Sequence, residues 1–373
     1  MGARPQIIKA SAVSRAVNLF SDELEEIIVH TGQHYDENMS EIFFQELGIP
    51  QAQYNLQVGS GSHGVQTAKM LEGIEELIIK EKPQGVLVYG DTNSTIAGAL
   101  AASKLHVPVV HVEAGLRSFN KQMPEEINRI ACDHMSTLLF CPTHTAISNL
   151  KNEGFSNLLK EKASLDHPKM FHCGDIMFDN SLYFSTLSAE KSTVLDELNL
   201  IPNSFALVTI HRDSNTDIAE HLNEILKALM AIQEESGLTI VLPIHPRTAN
   251  KLRDKLSVNL FSSIQANPNI RIIPPAGFLD IIALEKNARI IITDSGGLQK
   301  EAFFFKKPCI ILRPQTEWTE LVENGNAILA DHSLNRIVAA FNHLMLKDDY
   351  TFPDFFGDGH AARFICETII NEL

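Results

Sequence analysis

Short apolar runs rich in β-branched residues recur along this chain, separated by stretches with helical periodicity. They lie at 27–31 (IIVHT), 85–90, 107–112 and 137–141 (TLLFC), then at 205–210 (FALVTI), 239–244 (TIVLPI), 270–273 (IRII), 289–293 (RIIIT) and 308–312 (PCIIL). Near-continuous apolar strands suit a parallel sheet covered on both faces, and helical segments of roughly 10–20 residues between them supply the crossovers. The reading is an α/β fold built from parallel sheets. Stretch 63–81 shows the helical half, with Val65, Ala68, Met70, Leu71, Ile74, Leu77 and Ile78 set against Lys69, Glu72, Glu75 and Glu76.

The pattern pauses at 155–170 (FSNLLKEKASLDHPKM), which is polar, charged and without a clear strand. A chain of 373 residues, 44% of them hydrophobic, exceeds a single small core. Two domains are therefore expected, at 1–170 and 171–354, sharing a layer pattern but no internal repeat. A cleft between two such domains is the default place for a ligand. The turn at Gly2-Ala3-Arg4-Pro5-Gln6 calls for a first strand ahead of it, of which the sequence holds Met1 alone.

A net charge of −15 argues against a nucleic-acid or anionic-membrane surface, though a local basic cluster can still hold a small anion. No apolar run approaches the ~20 residues of a membrane span, and no apolar core follows the first charge, as a signal peptide requires. Cys132, Cys141, Cys173, Cys309 and Cys366 are scattered without paired spacing, which reads as reduced thiols in a cytoplasmic protein.

Two carboxylates end neighbouring runs: Asp91 after Val86–Gly90, and Glu113 after Val107–Val112. In one strand–helix–strand unit both stand at the carboxyl edge of one sheet, where open parallel sheets bind ligands. The alternative for Asp91 is a helix cap, a role that Thr92 or Asn93 can also fill. Glu113 precedes Ala114-Gly115, where the backbone can turn sharply. Glu125 and Glu126 follow Pro124 in a first helical turn, so one suits the dipole and the other can face a cleft with Asn128 and Arg129. Asp294-Ser295-Gly296-Gly297 stands between a strand and a helix, either a plain turn or a ready phosphate site, but neither a dinucleotide fingerprint nor a P-loop. Glu301, one turn further, can meet a ribose diol or merely cap. Cationic candidates are Arg4, Lys9, His211, Arg212 and Arg313, each of which can also be a solvated charge. His211 and His245 both end strands, and one of them can be structural. His30 and His34 are four apart in a strand and loop, a poor zinc pair.

In order, G-A-R-P-Q-I-I-K, T-G-Q-H, G-D-T-N-S-T, H-V-E-A-G-L-R, P-E-E-I-N-R, T-I-H-R, T-D-S-G-G-L-Q-K-E and K-P-C-I-I-L-R form a pattern that resembles the non-hydrolysing UDP-N-acetylglucosamine 2-epimerases, from Gly2 to the C-terminus. The resemblance implies two Rossmann-like domains of the glycosyltransferase-B type, an interdomain active site and a C-terminal helix at 355–373 that returns to the first domain. It implies a homodimer that supplies sugars for surface polysaccharide. The substrate would be a UDP-sugar, with no NAD or metal, no nucleic acid and no membrane. By position it makes Asp91, Glu113 and Glu125 the acid/base carboxylates and puts His211 near the diphosphate. Arg4, Lys9, Ser295, Gly296 and Gly297 then hold the nucleotide phosphates and Glu301 the ribose, with Arg313 a further substrate-binding candidate from its charge.

There are departures from the family. Gln315-Thr316-Glu317-Trp318 replaces Thr-Thr-Glu-Arg, and His211-Arg212-Asp213-Ser214 replaces His-Arg-x-Glu. Ala276 and Ile281 replace a Gln and a Phe, the loop from Arg117 to Pro124 is short, and Tyr35 follows Gln33-His34 where the family often has Arg. These changes resemble the branch acting on UDP-2,3-diacetamido-2,3-dideoxyglucuronate. A UDP-sugar glycosyltransferase of the same fold, a hydrolysing epimerase and a non-catalytic UDP-sugar sensor stay open as alternatives.

Overall fold

The computed structural model describes residues 1–32, 51–157, 162–244 and 246–373, apart from the side chains of residues 4, 246 and 247. Gln33, His34, Tyr35 and His245 lie outside the described residues. The chain forms two compact units, Met1–Asn180 with Asp354–Leu373, and Ser181–Pro353.

The first unit begins with helix α1 (Arg4–Val17), strands β1 (Val29–His30) and β2 (Tyr54–Asn55), and helix α2 (His63–Glu81). Then come β3 (Val86–Tyr89), α3 (Asn93–Lys104), β4 (Val109–Val112), α4 (Pro124–Met135), β5 (Leu138–Cys141), α5 (His144–Asn152) and β6 (Lys169–His172). Strands β3 to β6 make one parallel sheet in sequence order, with Tyr89 opposite Val112 and Val112 opposite Phe140. The apolar runs are buried on both faces. Ala10, Val13, Val110, Phe140, Ile176 and Ile365 pack on one side, and Met70, Ile74, Ile78, Ala97, Ala101 and Cys132 on the other. Helix α2 carries the expected stripe at Met70, Ile74 and Ile78, but Gln66 heads it, while Val65 and Ala68 are exposed. It stops at Lys82, whose left-handed φ of 51° lets its N–H return to the Ile78 carbonyl at 2.9 Å.

The change of unit comes later than the polar stretch at 155–170 suggested. Residues 169–172 are a fourth strand, paired in parallel with β5, and the chain leaves the first unit inside helix α6 (Ile176–Lys191). Asn180 in that helix holds Ser11 Oγ at 2.9 Å and the Ile8 carbonyl at 2.7 Å, tying it to α1.

Strand β3 has β4 on one edge and, among the described residues, no strand on the other. Met1 lies beside β1 in ladder geometry: its amine donates to the Val29 carbonyl, and the Thr31 N–H donates to the Met1 carbonyl, both at 2.8 Å. A cavity of about 850 Å³, lined by Ala10, Val13, Ile28, Ile74, Val88 and Cys366 among others, opens in this unit.

The second unit contains β7 (Phe205–Thr209), α7 (Ala219–Ser236), β8 (Thr239–Pro243), α8 (Pro246–Lys255), α9 (Val258–Ala266), β9 (Ile270–Ile273) and α10 (Phe278–Asn287). It continues with β10 (Ile290–Thr293), α11 (Gly296–Phe304), β11 (Cys309–Ile311), β12 (Ala327–Leu329) and α12 (Leu334–Leu346). Its sheet is six-stranded and parallel, in the order β12-β11-β10-β7-β8-β9. The order reverses between β7 and β10, so the loops after these two strands diverge there and leave room for a ligand. The last helix, α13 (Ala361–Glu372), belongs to the first unit, and Asp179 accepts from its leading N–H groups, Ala361 at 3.0 Å and Ala362 at 2.8 Å.

Candidate active site

In the first unit the acids stand on the turns that leave β3 and β4. Asp91 is not the cap of α3: Thr92 caps it and forms a capping box with Thr95. Asp91 is instead gripped from α4, with Arg129 Nη2 at 2.5 Å and Nε at 3.1 Å, and its carbonyl accepts from Asn128 Nδ2 at 2.9 Å. Glu113 adopts a left-handed φ of 76°, rare for a side chain with a Cβ, and its N–H and that of Ala114 both bond the Phe140 carbonyl at 3.1 and 3.0 Å. This turn aims its carboxylate back across β3, where Lys9 of α1 pairs with it. Gly90, at φ 61°, passes beneath that pair. A Cβ there would lie 3.2 Å from both Glu113 Oε2 and Lys9 Nζ. Asp91, Glu113 and Lys9 therefore converge on one sheet edge. Lys9 serves there as the counter-ion of an acid, and its expected diphosphate contact stays a proposal.

The pair Glu125–Glu126 divides cleanly. Glu126 is 1% exposed and accepts from the Ser118 and Phe119 N–H groups, each at 2.9 Å, and from Arg129 Nη1 at 2.6 Å. Burial alone would raise its carboxyl, but those two backbone donors and then Arg129 outweigh it and leave it below the usual range. Glu126 thus holds the 118–123 loop, and Glu125 is exposed in the same turn.

In the second unit β7 and β10 end side by side, with Thr209 opposite Thr293 and their hydroxyls 2.6 Å apart. His211 follows one strand and Asp294 the other. Asp294 is fully buried and accepts from His211 Nδ1 at 2.7 Å, from the His211 and Arg212 N–H groups, and from Asn215 Nδ2 at 3.1 Å. Burial opposes its charge, and the His211 imidazole with these donors holds the carboxyl below its ordinary range. The His211 side chain is 59% exposed, its ring oriented by Asp294. The role of Asp294 was not legible from Asp-Ser-Gly-Gly alone.

Ser295 caps α11, accepting from the Leu298 N–H, so the first-turn N–H groups at Gly296 and Gly297 fall outside the helical ladder. A Cβ on Gly296 would come within 2.6 Å of Glu317 Oε1, so a larger residue here would have to displace the Glu317 carboxylate from its place beside Arg313. Arg313 Nη2 pairs with Glu317 at 2.9 Å, while its buried Nη1 has no hydrogen-bond partner among the described residues. A buried guanidinium donor beside a helix N-terminus is what an anionic oxygen would satisfy. Burial raises the Glu317 carboxyl, and the Arg313 guanidinium more than reverses this. Glu301 faces the same turn, its Oε2 4.0 Å from where a Gly297 Cβ would sit. Trp318, where the family pattern has Arg, is buried with Lys300 Nζ 4.2 Å above its ring. Of the expected residues, the Arg4 side chain lies outside the description; its backbone opens α1. Among the described residues no group of His, Cys, Asp and Glu has the arrangement of a metal site, and no helix is long and apolar enough to cross a membrane.

The sequence model described as "UDP-N-acetylglucosamine 2-epimerase" matches residues 18–370. The chain is 48% identical to a UDP-N-acetylglucosamine 2-epimerase homolog of Methanococcus maripaludis, over 100% of this chain and 98% of the other. It is also 48% identical to the UDP-2,3-diacetamido-2,3-dideoxy-D-glucuronate 2-epimerase of Pseudomonas aeruginosa, over 98% and 97%. In structure it is similar to the Methanocaldococcus jannaschii UDP-GlcNAc 2-epimerase in complex with UDP-GlcNAc and UDP, with TM-score 0.82, 42% identity and coverage of 99% and 98%. With two strand-end acids in one unit, a glycine-headed helix turn beside Arg313 in the other and matches over nearly its whole length, the chain belongs to the UDP-N-acetylglucosamine 2-epimerase family.

Proposed function

We propose that this chain interconverts UDP-N-acetylglucosamine and UDP-N-acetylmannosamine. The observation that carries the reading is the pair Asp91 and Glu113, held at one sheet edge by Arg129 and Lys9 rather than consumed as caps. Carbon C2 of the sugar bears no proton next to a carbonyl, so simple removal and return of that proton is unfavourable. Elimination avoids this. A carboxylate takes the C2 proton, the C–H electron pair becomes the C1–C2 double bond of 2-acetamidoglucal, and the C1–O pair leaves with UDP. The return path delivers a proton to the opposite face of C2, and a UDP oxygen adds to C1. Two faces need two proton-transfer groups, which the first unit offers in Asp91 and Glu113, with Glu125 as a third. The departing diphosphate needs cations and N–H groups, which His211, Arg313, Ser295, Gly296 and Gly297 can supply in the second unit, with Arg4 and Lys9 from the first. Glu301 is assigned to the ribose hydroxyls.

The test is turnover in heavy water followed by proton NMR. Deuterium at C2 of the product is expected, and unlabelled epimer would sink the mechanism. Asp91→Asn and Glu113→Gln should each lower the rate by on the order of 10²–10⁴. A second reading, epimerisation of the 2,3-diacetamido uronate, is favoured by the 48% identity to the P. aeruginosa enzyme. That sugar differs at C3 and C6, so the same residues would serve, and assaying both UDP-sugars side by side decides between them. The proposal includes a cytoplasmic homodimer serving surface polysaccharide synthesis, on the strength of the family. Sedimentation of the purified chain tests the dimer.

A further inference from the structure

Beneath the two acid-bearing turns runs a buried chain of charges. His111 of β4 and Asp133 of α4 are both 0% exposed, and the Arg117 side chain is 1% exposed. His111 Nδ1 lies 2.7 Å from Asp133 Oδ1, and its Nε2 lies 2.8 Å from the Gly90 carbonyl. The second Asp133 oxygen accepts from the Gly115 N–H at 3.1 Å and from Arg117 Nη1 at 2.7 Å. Arg117 then reaches Glu153 through two bonds of 2.7 Å.

Geometry fixes the protons. Both ring nitrogens of His111 face oxygens that only accept: a carbonyl, and a carboxylate already engaged by Arg117. Either neutral tautomer would point a lone pair at an oxygen under 3 Å away. With Asp133 held ionised by Arg117, the imidazolium is the form that satisfies both contacts, and it balances the charges along Glu153, Arg117, Asp133 and His111. Burial works against the charge, and the neighbouring Cys132 sulfur and Asp133 carboxylate more than restore it, keeping the ring well above an ordinary histidine.

The ends of this chain matter for the reaction. Gly90 immediately precedes Asp91, and Gly115 lies two residues beyond Glu113. Both glycines are left-handed, with φ 61° and 77°. We infer that His111 and Asp133 are positioning residues for the proposed proton transfer: their buried ion pair clamps the Gly90 carbonyl ahead of Asp91 and the Gly115 N–H behind Glu113, so that both acids keep one fixed relation to the sugar ring. The hydrogen bonds of the clamp run to the Gly90 and Gly115 backbone, and the His111 and Asp133 side chains are fully buried. It acts on the chemical step and leaves alone the nucleotide contacts assigned to the second unit.

This rests on the epimerase reading, and its test separates the two. In the wild-type protein, nitrogen-15 histidine NMR at about pH 7 should show both His111 ring nitrogens protonated; a neutral His111 overturns the inference whatever the enzyme does. In steady-state assays, Asp133→Asn and His111→Leu should lower kcat by on the order of 10²-fold through misplacement of the acids, with KM held within about threefold. His111→Gln, which can still donate to Gly90, should recover part of that loss. Folded variants with wild-type kcat, or a loss that follows the unfolded fraction seen by circular dichroism, refute the clamp. If Asp91→Asn and Glu113→Gln are themselves fully active, it is the epimerase reading that fails, and the NMR result still stands or falls alone.

Discussion

Replacing Arg117 by Met isolates the energetic weight of the buried charge chain. Arg117 donates to Asp133, to both oxygens of Glu153 and to the Leu116 carbonyl, all at 2.7 Å. Its partner Asp133 is fully buried, and Glu153 is 28% exposed. A hydrogen bond to a buried charge contributes about 1.5–3 kcal/mol, whereas the Glu153 contact at the rim is screened and worth about 0–1 kcal/mol. Methionine fills the stem volume, so the loss is electrostatic: Asp133 keeps His111 and the Gly115 N–H but surrenders one full cation. Breaking one side of such a buried pair costs roughly 3–5 kcal/mol. In a unit of about 200 residues each kcal/mol moves the midpoint by about 2–4 °C, so its melting transition should fall by about 6–20 °C. Differential scanning calorimetry reads this directly, and urea titration should show a lower midpoint at unchanged slope. Adding Glu153→Gln completes a double-mutant cycle. A loss below about 1 kcal/mol would mean that the ion pair merely offsets its own desolvation, and the argument for a strongly charged clamp would fail.

Other outcomes follow from the same structure. Glu285 is 1% exposed, and burial, then the nearby Glu301 charge, pushes its carboxyl well above the usual range. A carboxyl raised in the fold stabilises below its unfolded pKa and loses that contribution as pH rises through the folded one. Glu285→Gln should therefore stabilise the second unit most at neutral and alkaline pH, as thermal melts across pH would show; equal shifts at all pH values would contradict it. Gly296→Ala drives a methyl to 2.6 Å from Glu317 Oε1. Since Glu317 is held by Arg313, UDP affinity measured by calorimetry should drop at least about tenfold, roughly 1.4 kcal/mol. Unchanged affinity would remove Gly296 from the phosphate site.

The layer pattern was legible because parallel strands buried on both faces leave continuous apolar runs, and all nine expected runs contain strands. Among the described residues three strands escaped, for a physical reason. Residues 54–55 and 327–329 are too short to show a period, and Lys169–His172 mixes polar and apolar side chains at a sheet edge. Missing that edge strand is what moved the expected boundary to 170. Within the site, Asp91 and Glu113 could be picked out because they follow runs that announce themselves. Which of Glu125 and Glu126 turns inward could not, since Ser118 and Phe119 decide it through a loop with no periodicity of its own. Asp133, Arg117 and Asp294 stood inside or beside quoted motifs without a role. The partners that give them one lie far along the chain, 22 residues from Asp133 to His111 and 83 from Asp294 to His211.

The backbone around the acids shows what the turn is built to do. A left-handed residue with a Cβ costs roughly 1–2 kcal/mol, and glycine would remove that cost at position 113 as it does at 90 and 115. Packing gives no reason to tolerate it, because Ala114 fills the core at 0% exposure just beyond. The side chain at 113 is nevertheless a carboxylate, aimed by that φ of 76° at Lys9 and across the Gly90 backbone. Strain of this kind persists only where surrounding contacts over-determine it. Here they do so on three sides: the Phe140 carbonyl takes the N–H groups of Glu113 and Ala114, Asp133 takes that of Gly115, and His111 holds the facing turn. A strained acid fixed this firmly loses little conformational freedom on meeting a substrate, which is the condition for proton transfer from a defined face. If the proposed proton transfer holds, the same rigidity ties it to the buried His111 and Asp133 as well as to the carboxylates displayed at this sheet edge.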